Sequence, residues 1–203
     1  MMGTAQLSYS DLELASLRKK AWQMLDAKRI PHVAGCEEEA VCLARRWGES
    51  PSAAAAAAIL HDVTKRLSAK EQLSLVKQYA IACDNALLAS PKLLHAVTGA
   101  AVAKAEFCMP DEICNAIRWH TTGKPEMTLL EKIIYLADYI EPTRNFPGVD
   151  VLRKSAYEDL DSALALGLSM SLEEVRHGGA EPYIDTVLAN NYYQKLVREG
   201  KNN

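Results

Sequence analysis

The sequence is poor in aromatic residues and lacks any pattern typical of β-strands. Aromatic residues make up 6% of its 203 residues, including only two phenylalanines and three tryptophans. No run of alternating apolar and polar side chains predicts a half-buried strand. Because sheets are rich in aromatic and β-branched residues, this composition argues against a sheet and favours packed helices.

Neither positive charge nor hydrophobicity is concentrated in the chain. The formal net charge is −3 and the pI is about 6.0, so no overall positive field attracts nucleic acid. No stretch approaches the ~18 uncharged apolar residues that a membrane helix needs, and no signal-peptide pattern is recognised. We therefore expect no nucleic-acid partner and no membrane association. An anionic ligand must then be held by local cations or by a metal.

The cysteines give no pattern of a disulfide framework. There are five of them, an odd number, and no two have C-x-x-C spacing. This usage is typical of free thiols in a reducing compartment. We expect a cytoplasmic location.

Helix start and stop signals, in contrast, are frequent. Serine or threonine followed three residues later by glutamate forms capping boxes at residues 10–13, 68–71 and 128–131, and Ser-Pro pairs stand at 50–51 and 90–91. These signals predict helices over about 10–28, 32–47 and 110–120, over 128–141 and 149–168, and from the caps at 50, 68 and 90. A short helix capped by Ser171 and a last one from Asp185 to about Glu199 complete the prediction.

The dipeptide His61-Asp62 follows eight apolar residues, 53–60, and is therefore expected near the end of a buried helix. A buried imidazole and a buried carboxylate are costly unless something pairs with them, and a divalent metal can satisfy both. Further candidate ligands lie on separate predicted helices: His32, His95, His120 and Asp138.

This candidate set contains four imidazoles, two carboxylates and no thiolate. Such nitrogen and oxygen ligands suit Fe, Mn, Co or Zn in an open or octahedral site rather than a closed structural zinc site. Asp62 is in a position to bridge two metals if two are bound, since paired hydrolytic metals lie ~3.5–4 Å apart. The fifth histidine, His177, is expected outside the site.

Taken singly, these residues have ordinary alternatives. A lone histidine is more often a core or helix-end group than a ligand, Lys65 and Arg66 can simply face a helix C-terminus, and Arg144 can pair with Asp150. Trp119 is expected in the core rather than as a platform for a base. The six candidate ligands together favour the metal.

Four motifs carry a resemblance to a known family. They are RIPHV at 29–33, LHDVTK at 60–65, IRWHTTG at 117–123 and YLADYIEPTR at 135–144. Together they resemble the HD-domain metal-dependent phosphohydrolases, and in particular the YqeK-type symmetrical bis(5'-nucleosyl)-tetraphosphatases, over roughly residues 12–195. The resemblance implies one all-α HD domain over 1–203, a bundle-like fold with its metal-site core at about 28–145 and C-terminal helices 149–199 packed on that core.

The resemblance also implies an activity and a site. The activity is cleavage of diadenosine tetraphosphate and similar compounds into two ADP, with one or two iron ions and Mn, Co or Zn as substitutes. The implied metal ligands are His32, His61, Asp62 and Asp138. The implied catalytic residues are His61, Asp62, Lys65, His95 and His120. The implied nucleotide and phosphate contacts are His32, Asp62, Val63, Thr64, Lys65, His95, His120, Thr121, Asp138, Arg144, Asp185 and Thr186.

The chain departs from the family at one point. The family loop similar to EPYIDT at 181–186 usually has proline just before its Asp-Thr pair, and Ile184 stands there in this chain.

Several interpretations remain open at this stage. The expected partners are a nucleotide substrate, an ADP or GDP product and a second copy of the chain in a homodimer. Another HD-type enzyme, a nucleotide monophosphatase or an alarmone hydrolase, is the first alternative. The others are a nucleotide-binding regulator without turnover and a plain helical protein with scattered histidines.

Overall fold

The computed structural model describes residues 7–200, and the all-α prediction is confirmed throughout that range. One short 3₁₀ turn, Ala27–Arg29, accompanies eleven α-helices in the described residues. The helices are α1 (Asp11–Trp22), α2 (Ile30–Trp47), α3 (Pro51–Leu60), α4 (Ala69–Gln78), α5 (Asn85–Leu88), α6 (Pro91–Phe107), α7 (Asp111–Trp119), α8 (Leu129–Ile140), α9 (Val149–Glu158), α10 (Leu160–His177) and α11 (Ile184–Gly200).

Most helix starts are where the capping signals predict them. The three predicted capping boxes form, with the hydroxyls of Ser10, Ser68 and Thr128 each accepting from the backbone N–H three residues on. Gly48 ends α2 with a φ of 80°, a left-handed conformation that glycine adopts without strain. Local side chain–backbone chemistry therefore explains these boundaries.

The predicted extent of the first helix is wrong by about a turn and a half. Helix α1 ends at Trp22, after which Leu25 turns into the core and the 3₁₀ turn leads directly into α2. Helix α2 then begins at Ile30, two residues before the predicted start. This short connection places Arg29 beside the residues that surround His61-Asp62.

The predicted helix over 149–168 is also wrong, because the chain breaks at Asp159. Asp159 has an extended backbone (φ −157°, ψ 110°), and its carboxylate accepts from the N–H groups of Asp161 and Ser162. It therefore caps a new helix, α10, in which Ser171 is an interior residue rather than a cap. The four-residue α5 was not predicted, and α11 begins at Ile184, one residue before the predicted cap.

The alanine-rich helix α3 lies at the centre of the core. Residues 53–58 are at most 1% exposed, and α3 packs against α1, α2, α7 and α8. Small side chains let neighbouring helices approach closely. The chain that leaves α3 at residue 61 therefore emerges directly between α2, α7 and α8.

The last three helices pack around this arrangement. Helix α9 contacts α8 and α2, while α10 packs against α8, α9 and α11. Buried residues of α9, α10 and α11 belong to the same hydrophobic cluster as α3. Within residues 7–200, no helix combines the length and the apolar character that crossing a bilayer requires.

Candidate metal centre

The structure brings all six predicted ligands together. His32 lies in the first turn of α2, His61 and Asp62 directly follow α3, His95 lies in α6, His120 directly follows α7, and Asp138 lies near the end of α8. The four histidines and Asp62 are buried, and the Asp138 side chain is 17% exposed. Elements distant in sequence thus supply one compact set of nitrogen and oxygen atoms.

One half of the centre contains His32, His61, Asp138 and one oxygen of Asp62. His32 Nε2 lies 3.0 Å from Asp138 Oδ1 and 3.3 Å from His61 Nε2. His61 Nε2 lies 3.4 Å from Asp62 Oδ2. The ligand atoms of His32, His61 and Asp62 all lie within 4.8 Å of one another, close enough to hold a single metal ion.

The other half contains His95, His120 and the second oxygen of Asp62. The two imidazole Nε2 atoms are 3.0 Å apart, and Asp62 Oδ1 lies 3.2 Å from His95 Nε2 and 3.8 Å from His120 Nε2. The two oxygens of Asp62 therefore face the two halves, as a bridging carboxylate does.

Hydrogen bonds away from the centre set the orientation of three histidines. The Nδ1 atoms of His61 and His120 lie 2.7 and 2.6 Å from the carbonyl oxygens of Ala58 and Ile117, and His32 Nδ1 lies 3.0 Å from Glu141 Oε1. Carbonyl and carboxylate oxygens only accept, so each Nδ1 carries the proton. Each Nε2 then presents its lone pair to the centre, as in metal-bound histidine.

These atoms fit a divalent metal. Asp62 Oδ1 is buried and has no hydrogen-bond partner, a rare and costly situation for a carboxylate, and two pairs of imidazole Nε2 atoms face one another. A cation with nitrogen and oxygen ligands satisfies all of these atoms at once.

Electrostatics keep both carboxylates and His120 in their metal-binding protonation states. Burial raises the pKa of Asp62, but His61, His95 and His120 outweigh that effect and hold it well below its usual range. Burial likewise raises the pKa of Asp138, but the neighbouring side chains of His32, His61 and Arg144 outweigh that effect and hold it well below its usual range. Burial lowers the pKa of His120 to about 3, and neighbouring histidines add to the shift. Both carboxylates are therefore ionised and His120 is neutral at pH 7.

Two arginines neutralise these carboxylates from the rim. Arg29 donates to Asp62 Oδ2, while Arg144 donates to Asp138 Oδ1 at 2.6 Å and to the Asp138 carbonyl at 2.8 Å. The alternative pairing of Arg144 with Asp150 does not form, because Asp150 pairs with Arg153.

A third cation, Lys65, lies at the same rim. Its Nζ is 3.2 Å from Nε2 of His95. Loss of water around the ammonium lowers the pKa of Lys65, although Asp62 and Asp138 act against that shift. The rim therefore presents three cations above a centre with two carboxylates, an arrangement suited to an anionic ligand.

Val63 and Thr64, two predicted phosphate contacts, have side chains that point into the packing instead. Val63 is 1% exposed in the hydrophobic core. The Thr64 hydroxyl donates to the His95 carbonyl at 2.8 Å and lies 3.0 Å from the Thr98 hydroxyl. Their side chains therefore hold the turn after His61-Asp62 against α6.

Two of the three remaining predicted contacts line a cleft of about 790 Å³ beside the residue that follows His120. Thr121 and Thr186 both line it, and its walls come from α5, α6, the end of α10 and the segment 178–186. The Thr121 hydroxyl is buried and has no hydrogen-bond partner. Asp185 lies in an adjoining small pocket beside Arg118 and Thr121. The segment 178–186 therefore extends the site beyond the metal centre.

A protein-family model decides the relationship of this chain. The model described as HD domain matches residues 29–143, which include all six metal-centre residues. The chain belongs to the HD-domain family. The resemblance stated from the motifs is therefore confirmed, and the matched residues contain the His/Asp cluster described above.

Relatives support the same assignment over nearly the whole chain. The symmetrical bis(5'-nucleosyl)-tetraphosphatase of Halalkalibacterium halodurans is 38% identical over 91% of this chain and 99% of the relative. The protein of the same name from Bacillus subtilis is 39% identical over 84% of this chain and 91% of the relative. A crystal structure from Clostridium acetobutylicum, described as a predicted HD superfamily hydrolase involved in NAD metabolism, has a TM-score of 0.86. It is 34% identical and covers 95% of this chain and 100% of its own.

Sequence reasoning missed three residues that this HD-domain centre uses. Arg29 and Glu141 both lie inside the motifs but were not assigned to the site, although each contacts a predicted ligand. Gly35 lies in α2 directly opposite the Glu141 carboxylate. A glycine in the interior of a helix lowers the stability of that helix by about 1 kcal/mol relative to alanine. Its presence in α2 therefore indicates close packing at that position.

Arg153 fixes the segment that carries Glu141 and Arg144. It donates to the carbonyl oxygens of Ile140 at 2.9 Å, Glu141 at 3.0 Å and Arg144 at 2.8 Å. We expect Arg153→Ala to lower the free energy of unfolding by about 2 kcal/mol, since three carbonyls lose a charged donor. Urea denaturation measures this, with Arg198→Ala on α11 as an exposed control. An unchanged midpoint for Arg153→Ala contradicts the assignment.

Proposed function

We propose that this HD-domain protein is a symmetrical dinucleoside tetraphosphate hydrolase that cleaves diadenosine tetraphosphate and similar compounds into two ADP. The observation that carries the proposal is a centre of four histidines and two aspartates with three cations at its rim. A cleft lies beside it, at Thr121. Two relatives above 35% identity with this name support the choice of substrate.

We propose iron as the metal, with one ion held by His32, His61, Asp62 and Asp138. His95, His120 and the other oxygen of Asp62 form a second position. When bound, a divalent metal acts as a Lewis acid on phosphoryl oxygens and lowers the pKa of water. The protein contributes three imidazoles whose Nδ1 atoms are held by hydrogen bonds, at His32, His61 and His120. Burial keeps His120 neutral, so that metal binding requires no proton to be removed from its Nε2 atom.

The rim cations bind the phosphate chain. Arg144 and Arg29 each have guanidinium N–H groups beyond those that contact Asp138 and Asp62, and a planar guanidinium suits phosphate oxygens. Lys65 Nζ lies next to His95, where it donates to an oxygen of the phosphate under attack. Charge that develops on the phosphates during cleavage is thus met by fixed donors.

The cleft beside Thr121 receives one nucleoside. Its volume of about 790 Å³ falls within the usual range for small-molecule sites. The buried Thr121 hydroxyl is next in sequence to His120, so it is placed to donate to the sugar or to the first phosphate. Tyr183 donates to Asp84 Oδ2 at 3.0 Å, which ties the segment 178–186 to the opposite wall.

Three broader features belong to the same proposal. We take residues 1–203 as one domain, the location as cytoplasmic and the assembly as a homodimer. The product is ADP or GDP. Sedimentation of the purified protein measures whether it is a homodimer.

Product analysis tests the proposed function. We expect iron- or manganese-loaded protein to convert diadenosine tetraphosphate into ADP as sole product, since cleavage of the central anhydride leaves two phosphates on each half. Chromatography of the nucleotides gives the answer. AMP with ATP as products contradicts symmetrical cleavage, and stable binding without turnover contradicts a hydrolase.

A further inference from the structure

A second groove adjoins the metal centre on the side of the 3₁₀ turn. It lies between residues 25–29 and the turn after His61-Asp62, has a volume of about 320 Å³, and is lined by Leu25, Asp26, Lys28, Arg29, Lys65 and Arg66. We call it the basic groove. Four of its six lining residues are cationic and one is acidic.

The basic groove is continuous with the centre through two shared residues. Arg29 contacts Asp62, and Lys65 contacts His95, and both also line the groove. Neither residue lines the cleft beside Thr121. The basic groove and the cleft beside Thr121 are therefore lined by different residues.

Lys28 and Arg66 have no evident structural task. Within the described residues 7–200 neither side chain takes part in a salt bridge, in contrast to exposed cations such as Lys104, which pairs with Asp111, and Lys154, which pairs with Glu158. Both are exposed. Unpaired cations beside a carboxylate-rich centre keep their hydrogen-bond donors available for an anion.

We infer that the basic groove binds the phosphate chain of the second nucleotide half of a dinucleoside polyphosphate. The inference rests on the proposed function and deepens it. A substrate cut at its central anhydride must extend from the centre in both directions, with a nucleoside diphosphate on each side. The cleft accommodates one half, and the other, which carries negative charge next to the cut, follows the groove. The two halves of a symmetrical substrate are therefore held by unlike surfaces.

The test compares a long ligand with a short one in manganese-loaded protein. The Lys28→Ala/Arg66→Ala variant removes two cations from the groove, and Lys19→Ala/Lys20→Ala removes two exposed cations from α1 as a control. We expect kcat/KM for diadenosine tetraphosphate to fall about tenfold or more in the groove variant only. The Kd of AMP, which is too short to reach both sides, stays within about twofold of wild type.

Two results overturn the inference. One is an unchanged kcat/KM for diadenosine tetraphosphate in the groove variant. The other is a loss of AMP affinity equal to the loss of kcat/KM for diadenosine tetraphosphate, which indicates that the two cations act only through the general positive potential of the surface. Lack of turnover by the wild-type protein contradicts the proposed function instead. In that case the Kd of diadenosine tetraphosphate replaces kcat/KM as the measure of the groove.

Discussion

Replacement of Asp62 by asparagine is expected to remove metal from both halves of the centre and to lower activity at least about a thousandfold. The two oxygens of Asp62 face different histidine pairs, at 3.4 Å from His61 Nε2 and 3.2 Å from His95 Nε2. Asparagine has nearly the same volume but carries no negative charge and only one oxygen, so it cannot serve as the shared ligand of both positions. A thousandfold loss corresponds to about 4 kcal/mol of the activation barrier. Elemental analysis and turnover of diadenosine tetraphosphate give the two readouts.

Two matched variants make this prediction specific. His95→Ala removes a ligand from one half only, so it should lower metal content less than Asp62→Asn does. Asp111→Asn changes an exposed aspartate and should leave metal content and activity unchanged. Equal metal content in Asp62→Asn and wild type shows that Asp62 does not bridge. A collapse of helicity in Asp62→Asn, seen by circular dichroism, shows instead a structural role for the carboxylate.

Two of the candidate ligands could be recognised from the sequence because they violate a local rule. His61 and Asp62 follow eight apolar residues, where polar groups are costly, and the structure shows both to be fully buried. The capping boxes fixed three helix starts for a similarly local reason, since their hydrogen bonds form within four residues. Features that are determined within one turn of helix could therefore be predicted from the sequence.

Features determined by contacts between distant segments could not be predicted in this way. The break at Asp159 is the exception among the missed features, because it is local: its carboxylate accepts from N–H groups two and three residues on, in competition with helix continuation. Arg29 contacts Asp62, which is 33 positions further along the chain, and Glu141 contacts His32, which is 109 positions earlier. No spacing rule connects residues so far apart. The orientation of Val63 and Thr64 away from the centre follows from packing against α6, which the motif does not encode.

Gly35 and Glu141 illustrate how such a distant contact controls a ligand. Glu141 Oε1 accepts from His32 Nδ1, and the same carboxylate is held by the Thr143 hydroxyl and by the Thr143 N–H at 2.7 Å. A Cβ on Gly35 would lie 2.6 Å from Glu141 Oε2 and 3.3 Å from the Pro142 ring. Because the carboxylate is fully buried, it cannot swing away without breaking these bonds.

We therefore expect Gly35→Ala to weaken metal binding about 10–100-fold, the usual effect of disturbing a hydrogen bond to a metal-bound histidine. Metal titration followed by activity measures the affinity, and excess metal should restore much of the turnover because all ligands remain. Gly99→Ala is the matched control, since a Cβ there meets nothing closer than 3.4 Å.

Glu141→Gln separates the effect of the Glu141 charge from the effect of its packing: it keeps an acceptor for His32 Nδ1 but removes the charge. If Gly35→Ala binds metal as tightly as Gly99→Ala, then His32 does not need Glu141 for its position. If Glu141→Gln alone weakens binding, the charge of Glu141 acts on His32 independently of the packing that Gly35 allows.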